Sequence, residues 1–142
     1  MIDKLNSVNA PVLVSACLTG LCTRYDAQTK QYPKLLEILG KAPYIPVCPE
    51  QLGGMPTPRE AAAIVNGDGC KVLEGIARVI TRSGVDVTPY FIRGAEQVLH
   101  IARLQHIKTA YLKARSPSCA VEGVTGVTAA LLKKHNIETF QI

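Results

Sequence analysis

Short runs of strand-forming residues alternate with segments of helical spacing, and that alternation restricts the chain more than any other feature. "PVLVSAC" (11–17) and "APYIPVC" (42–48) are apolar and contain β-branched residues, as buried strands do. "KTAYLKA" (108–114) and the final "IETFQI" read as two further strands. "KLLEILG" (34–40) has helical spacing and stops at Gly40, a C-terminal signal. The longest helix is expected in "TPYFIRGAEQVLHIARLQHI" (88–107), with Thr88 as N-cap, Pro89 as the first helical residue, and Phe91, Ala95, Val98, Leu99 and Ala102 on one face. "TGVTAALLKKHN" (125–136) predicts a helix capped by Thr125, with Lys133, Lys134 and His135 near its negative end. "CKVLEG" and "IARVITRSG", on either side of Gly75, are expected to form a small β-hairpin, and a helical turn is expected after Pro58. Strands that alternate with helices imply a parallel sheet covered on both faces. The expected fold is therefore α/β: a single compact domain over residues 1–142, its mostly parallel sheet flanked by helices in a Rossmann-like three-layer arrangement. Residues 1–10 form an N-terminal extension.

In such sheets, ligands bind beyond the carboxyl ends of the strands. Cys17 ends the first run, Cys48 ends the second, and Cys119 lies five residues past the end of the third. Parallel strands would bring these three thiols to one edge. Cys48 also stands beside Pro49 and two residues after Pro46, and both prolines stiffen the backbone that carries it.

The chain has five cysteines, the other two being Cys22 and Cys70. An odd count with no signal-like apolar centre in Met1–Ala10 argues against a disulfide framework, and a cytoplasmic location is the expectation. No apolar run approaches the length of a membrane span. Lys and Arg total 16 against 11 Asp and Glu, a net charge of +5, but the bases are scattered. A nucleic-acid partner is not expected, and a small polar or anionic ligand fits as well. Three convergent thiols suit zinc with an open position, or a cubane iron–sulfur cluster with one iron left free. The plainer reading is that they are small buried hydrophobes. A metal-free enzyme with Cys119 as nucleophile is a further alternative, as is a non-catalytic metal- or cluster-binding protein. Polar residues surround the thiols: Arg24, Tyr25 and Asp26 after Cys17, Glu50 and Arg59 after Cys48, and Arg115, Ser116 and Ser118 before Cys119. A carboxylate and a hydroxyl beside an open metal would serve proton transfer and hydrogen bonding.

Four blocks, "VSACLTG…RYD", "PVCPEQLGGMPTPR", "GVDVTPYFIRGA" and "KARSPSCA", together resemble the thiouracil desulfidase family. The resemblance runs from about Val12 to Phe140. It implies a [4Fe-4S] cluster held by Cys17, Cys48 and Cys119, and non-redox removal of sulfur from a thiolated nucleobase such as 2-thiouracil. The open iron would take up the sulfur while water attacks the carbon. It further implies a catalytic glutamate and serine beside the cluster, which map onto Glu50 and Ser116. Arg24, Tyr25, Asp26, Arg59 and Ser118 are the expected substrate-binding residues. Ala120 departs from the family, whose members usually carry glycine after the third cysteine.

Overall fold

A computed structural model describes residues 10–142, so nearly all of the expected N-terminal extension lies outside the described residues. Six strands and five α-helices follow in the order β1 (Val12–Ser15), α1 (Leu35–Leu39), β2 (Tyr44–Val47), α2 (Pro49–Leu52), β3 (Ala62–Val65), α3 (Gly69–Leu73), β4 (Arg78–Thr81), α4 (Thr88–Leu104), β5 (Thr109–Leu112), α5 (Val127–Lys134) and β6 (Glu138–Gln141). A 3₁₀ turn over Ala16–Thr19 follows β1 directly.

The main sheet has the order β2-β1-β5-β6, and all its pairs are parallel. Along β1, Leu13 and Val14 point to opposite faces, as strand geometry requires, and both are fully buried. Leu13 joins Val98, Leu99 and Ala102 of α4 and Ala129 and Leu132 of α5. Val14 joins Leu18 and, from α1, Leu35 and Leu39. Helices therefore cover both faces, as the alternation predicted. Pro46 is tolerated inside β2 because β2 is an edge strand of the sheet.

The expected hairpin around Gly75 does not form. "CKVLEG" is helical, because Asp68 caps α3 by accepting from the Lys71 N–H at 3.1 Å. β4 pairs instead with β3, antiparallel, with Ala62 opposite Thr81. No helix follows Pro58; residues 57–61 are loop leading into β3.

The caps of the two long helices also differ from expectation. Thr88 lies inside α4, with Val87 at the cap position. Its buried hydroxyl accepts from the Val79 N–H at 2.8 Å, so the side chain ties β4 to the helix. Thr125 likewise yields the cap of α5 to Gly126, and its carbonyl accepts from the Gly69 N–H at 2.6 Å.

Asp86 fixes the entry to α4 in place of a capping threonine. It accepts from Arg78 Nε at 2.8 Å and from the Thr88 N–H at 2.9 Å. The Arg78 hydrogen bond, followed by those from Thr88, lowers its pKa from 3.8 to about 2. A depressed carboxyl pKa stabilises the fold above the ordinary value, and that contribution is lost as pH falls through the folded one. An NMR titration is expected to find Asp86 still charged at pH 3, and Arg78→Gln is expected to raise its midpoint.

Candidate functional site

β2, β1 and β5 are neighbours and parallel, so their carboxyl ends lie side by side. A cavity of about 690 Å³ opens there, and Cys17, Cys48 and Cys119 all line it. Cys17 sits in the 3₁₀ turn rather than in β1 itself. Its carbonyl accepts from the Lys30 N–H at 3.0 Å and from Thr29 Oγ1 at 2.7 Å, so the returning loop holds the turn in place. Cys48 is the cap residue of α2, and Pro49 is the first residue of that helix, where a missing N–H costs nothing. The chain therefore does not lose regular structure at Cys48; it passes from strand into helix there. Cys119 is buried, and its N–H donates to Ser116 Oγ at 3.0 Å.

All five cysteines are free thiols. Burial pushes the Cys119 thiol up to about 12 and also raises Cys17, with nearby Cys48 adding to both. Reactive nucleophilic cysteines have lowered values and partial exposure, so these two thiols are poor metal-free nucleophiles. A bound metal deprotonates its thiol ligands outright. Among the described residues no three His, Cys, Asp or Glu side chains form a ligand set for a single metal ion. Three cysteines nevertheless border one roomy cavity. The donor set is soft and all sulfur, which suits iron–sulfur chemistry. Cys22 and Cys70 are exposed and lie outside the cavity lining.

Glu50 stands on the first turn of α2, and both its oxygens are engaged. Arg59 Nε donates to Oε1 at 2.9 Å, and Ser118 Oγ donates to Oε2 at 3.1 Å. Ser118 Oγ also lies 3.7 Å from Cys119 Sγ. Ser116 Oγ accepts from the N–H groups of Ser118 (3.2 Å) and Cys119 (3.0 Å), and lies 3.0 Å from Ser118 Oγ. A continuous chain of polar contacts thus runs from Arg59 through Glu50 and Ser118 to Ser116 and Cys119.

Arg24, Tyr25, Arg59, Glu50, Ser116 and Ser118 line the same cavity. Asp26 does not line it. Its carboxylate turns to Arg24 at 3.4 Å and accepts from the Gln28 N–H at 3.1 Å, closing a local turn of the type aspartate favours. The cavity has further polar residues that the sequence reading did not single out, among them Ser15, Lys30 and Lys113. Ser15 Oγ accepts from the Lys113 N–H at 2.9 Å. Burial lowers the Lys113 ammonium pKa, and Cys17 beside it opposes that.

Glycines set two close approaches behind the site. A methyl on Gly94 of α4 would strike the Pro49 carbonyl, and one on Gly53 would strike the Tyr90 carbonyl. These two glycines let α4 back directly onto the segment that carries Cys48 and Glu50. A methyl on Gly126 would stand 2.7 Å from Cys119 N and against the Ser118 carbonyl group. Gly126→Ala must therefore displace the Cys119 turn. Overpacking of this kind costs about 1–3 kcal/mol. Urea denaturation is expected to report a loss in that range for the metal-free protein, and iron retention after desalting is expected to fall as well.

Residues 12–142 match the 2-thiouracil desulfurase family. The uncharacterized protein YbbK of Bacillus subtilis (strain 168) is 38% identical over 135 residues, covering 87% of this chain and 89% of the relative. The solved structure of the [4Fe-4S]-dependent thiouracil desulfidase TudS superposes with a TM-score of 0.77 at 40% identity, covering 92% of this chain and 89% of that one. Its fold and this one agree, sheet and helices alike. With the match spanning every strand and all three cavity thiols, the chain belongs to the 2-thiouracil desulfurase family.

Proposed function

We propose that this protein is an iron–sulfur-dependent desulfidase that replaces the sulfur of a thiolated nucleobase, with 2-thiouracil as the reference substrate, by oxygen from water. The observation that carries the reading is the convergence of three free thiols with a carboxylate and two hydroxyls in one cavity. Cys17, Cys48 and Cys119 would hold a [4Fe-4S] cluster, the cofactor on which the similar TudS protein depends. When bound, a cluster with only three protein thiolates supplies an open, Lewis-acidic iron for the substrate's sulfur.

The remaining work falls to the chain's own side chains. Glu50 has a second lone pair on each oxygen beyond those engaged by Arg59 and Ser118, and it faces the cavity. It accepts a proton from water as the water oxygen bonds to the thiocarbonyl carbon. The C–S bond then breaks as the added hydroxyl passes its remaining proton to the departing sulfur, which leaves as hydrosulfide at the oxidation level of sulfide, so no electron donor or acceptor is needed. Ser118 keeps the Glu50 carboxylate aimed while Ser116 holds the Cys119 turn by its backbone. Arg24 and Tyr25, which line the cavity, contact the base.

The test is anaerobic incubation of reconstituted protein with 2-thiouracil, with uracil and released sulfide measured together. Equal amounts of both, without added reductant, are the expected result. A requirement for a reductant, or no uracil from fully loaded protein, would overturn the reading.

A further inference from the structure

We infer that Arg59 is the positioning residue of the Glu50 carboxylate, clasping the loop after β1 to the Cys48–Glu50 turn, and that it does not meet the substrate. The inference rests on the desulfidase reading of the cavity and reassigns a residue that its neighbourhood suggested for substrate binding.

The Arg59 side chain is only 3% exposed. A guanidinium carries five N–H donors in a fixed fork, and protein acceptors face all five. Nε donates to Glu50 Oε1 at 2.9 Å. Nη1 donates to Thr57 Oγ1 at 2.8 Å and to the Pro56 carbonyl at 3.2 Å. Nη2 donates to the Thr23 carbonyl at 2.9 Å and lies 3.8 Å from Cys48 Sγ. No N–H remains for a substrate carbonyl or thiocarbonyl. The backbone repeats the link, because the Arg59 N–H donates to the Tyr25 carbonyl at 2.7 Å.

Three segments distant in sequence therefore meet on one side chain: residues 23–25, residues 48–50 and residues 56–59. The carboxylate that they surround is fixed from two sides, by Arg59 on one oxygen and Ser118 on the other. A lysine cannot substitute, since one ammonium cannot reach Glu50, Thr57 and Thr23 together. A general base held in this way is ordered before substrate arrives, and misplacement by about 1 Å can cost about 100-fold in rate.

The test uses anaerobically reconstituted wild-type protein with R59Q, R59K, E50Q and the double variant R59Q/E50Q, assayed with 2-thiouracil. R59Q is expected to lose about 100-fold in kcat, with KM and the cluster absorption nearly unchanged, and R59K is expected to recover little of the loss. Because Arg59 acts through Glu50, the double variant is expected to be no slower than E50Q alone. Losses that multiply in the double variant, or a loss confined to KM, would overturn the inference in favour of substrate contact. Should R59Q fail to fold, R59K paired with E50Q decides the same point. Hydrogen exchange on the metal-free protein gives a second reading that needs no turnover. Amides at 23–27 and 57–60 are expected to exchange faster in R59Q or R59K while those of α4 do not; unchanged exchange in the two loops removes the clasp. Wild-type protein that holds no cluster or leaves 2-thiouracil intact sinks the desulfidase reading, and the exchange result then judges the clasp by itself.

Discussion

Cys119→Ala protein, purified and reconstituted without oxygen, is expected to fold and to hold almost no iron. Cys119 is one of three thiols that reach the cavity, and each comes from a different strand end. The two that remain cannot keep a cubane that ordinarily takes four thiolates. The same loss is expected for Cys17→Ala and Cys48→Ala. Cys22→Ala and Cys70→Ala are the controls, because both side chains are exposed and away from the cavity. They are expected to keep wild-type iron and wild-type turnover. Iron per chain and visible absorption measure the difference, and circular dichroism confirms the fold. A Cys119→Ala protein with wild-type iron would remove that residue from the ligand set.

Glu50→Gln is expected to keep the cluster spectrum and lose about 100- to 10,000-fold in turnover, the usual contribution of a general acid–base group. Glutamine keeps the length of the side chain and an oxygen for the Arg59 or Ser118 hydrogen bond, so folding is expected to change little. Single-turnover uracil formation reads the loss. If Glu50→Gln turned over 2-thiouracil at nearly the normal rate, the base would have to be another group. Asp26 is a poor replacement, because it does not line the cavity and its carboxylate is engaged by Arg24 and the Gln28 N–H.

The serines separate by their bonds. Ser116 Oγ receives two backbone N–H groups of the Cys119 turn, whereas Ser118 Oγ reaches Glu50 and Cys119 Sγ directly. The family resemblance put Ser116 in the catalytic role and left Ser118 to substrate binding, whereas it is Ser118 whose hydroxyl reaches Glu50, a distinction that two positions in one turn do not carry in sequence.

Much of the scaffold was legible in the residues themselves. The runs around Val12–Ser15, Tyr44–Val47 and Thr109–Leu112 are short and bounded by turn signals, and each became a strand of the parallel sheet. That placed the three thiols on one edge without any compact motif. What escaped depends on contacts between distant segments. β3 was hidden because "AAIV" follows a loop and is strand only by pairing with β4. The caps of α4 and α5 shifted because Thr88 and Thr125 are bound to β4 and α3 instead. The Glu50–Ser118 bond joins residues 68 apart, and Ser15 and Lys113 meet across 98. No local pattern carries that information. Three of the four sequence blocks, in contrast, carry residues that line the cavity, and the fourth backs the Cys48–Glu50 segment through Gly94, which is why the resemblance pointed to the site as well as to the fold.

The central claim is that three strand-end cysteines hold an iron–sulfur cluster in this cavity. Iron and acid-labile sulfide, counted on wild-type protein purified or reconstituted under strict anaerobiosis, test it most directly. The expected result is about four irons and about four sulfides per chain with a broad visible absorption. A colourless protein with one zinc per chain, or with no metal at all after reconstitution, would contradict it.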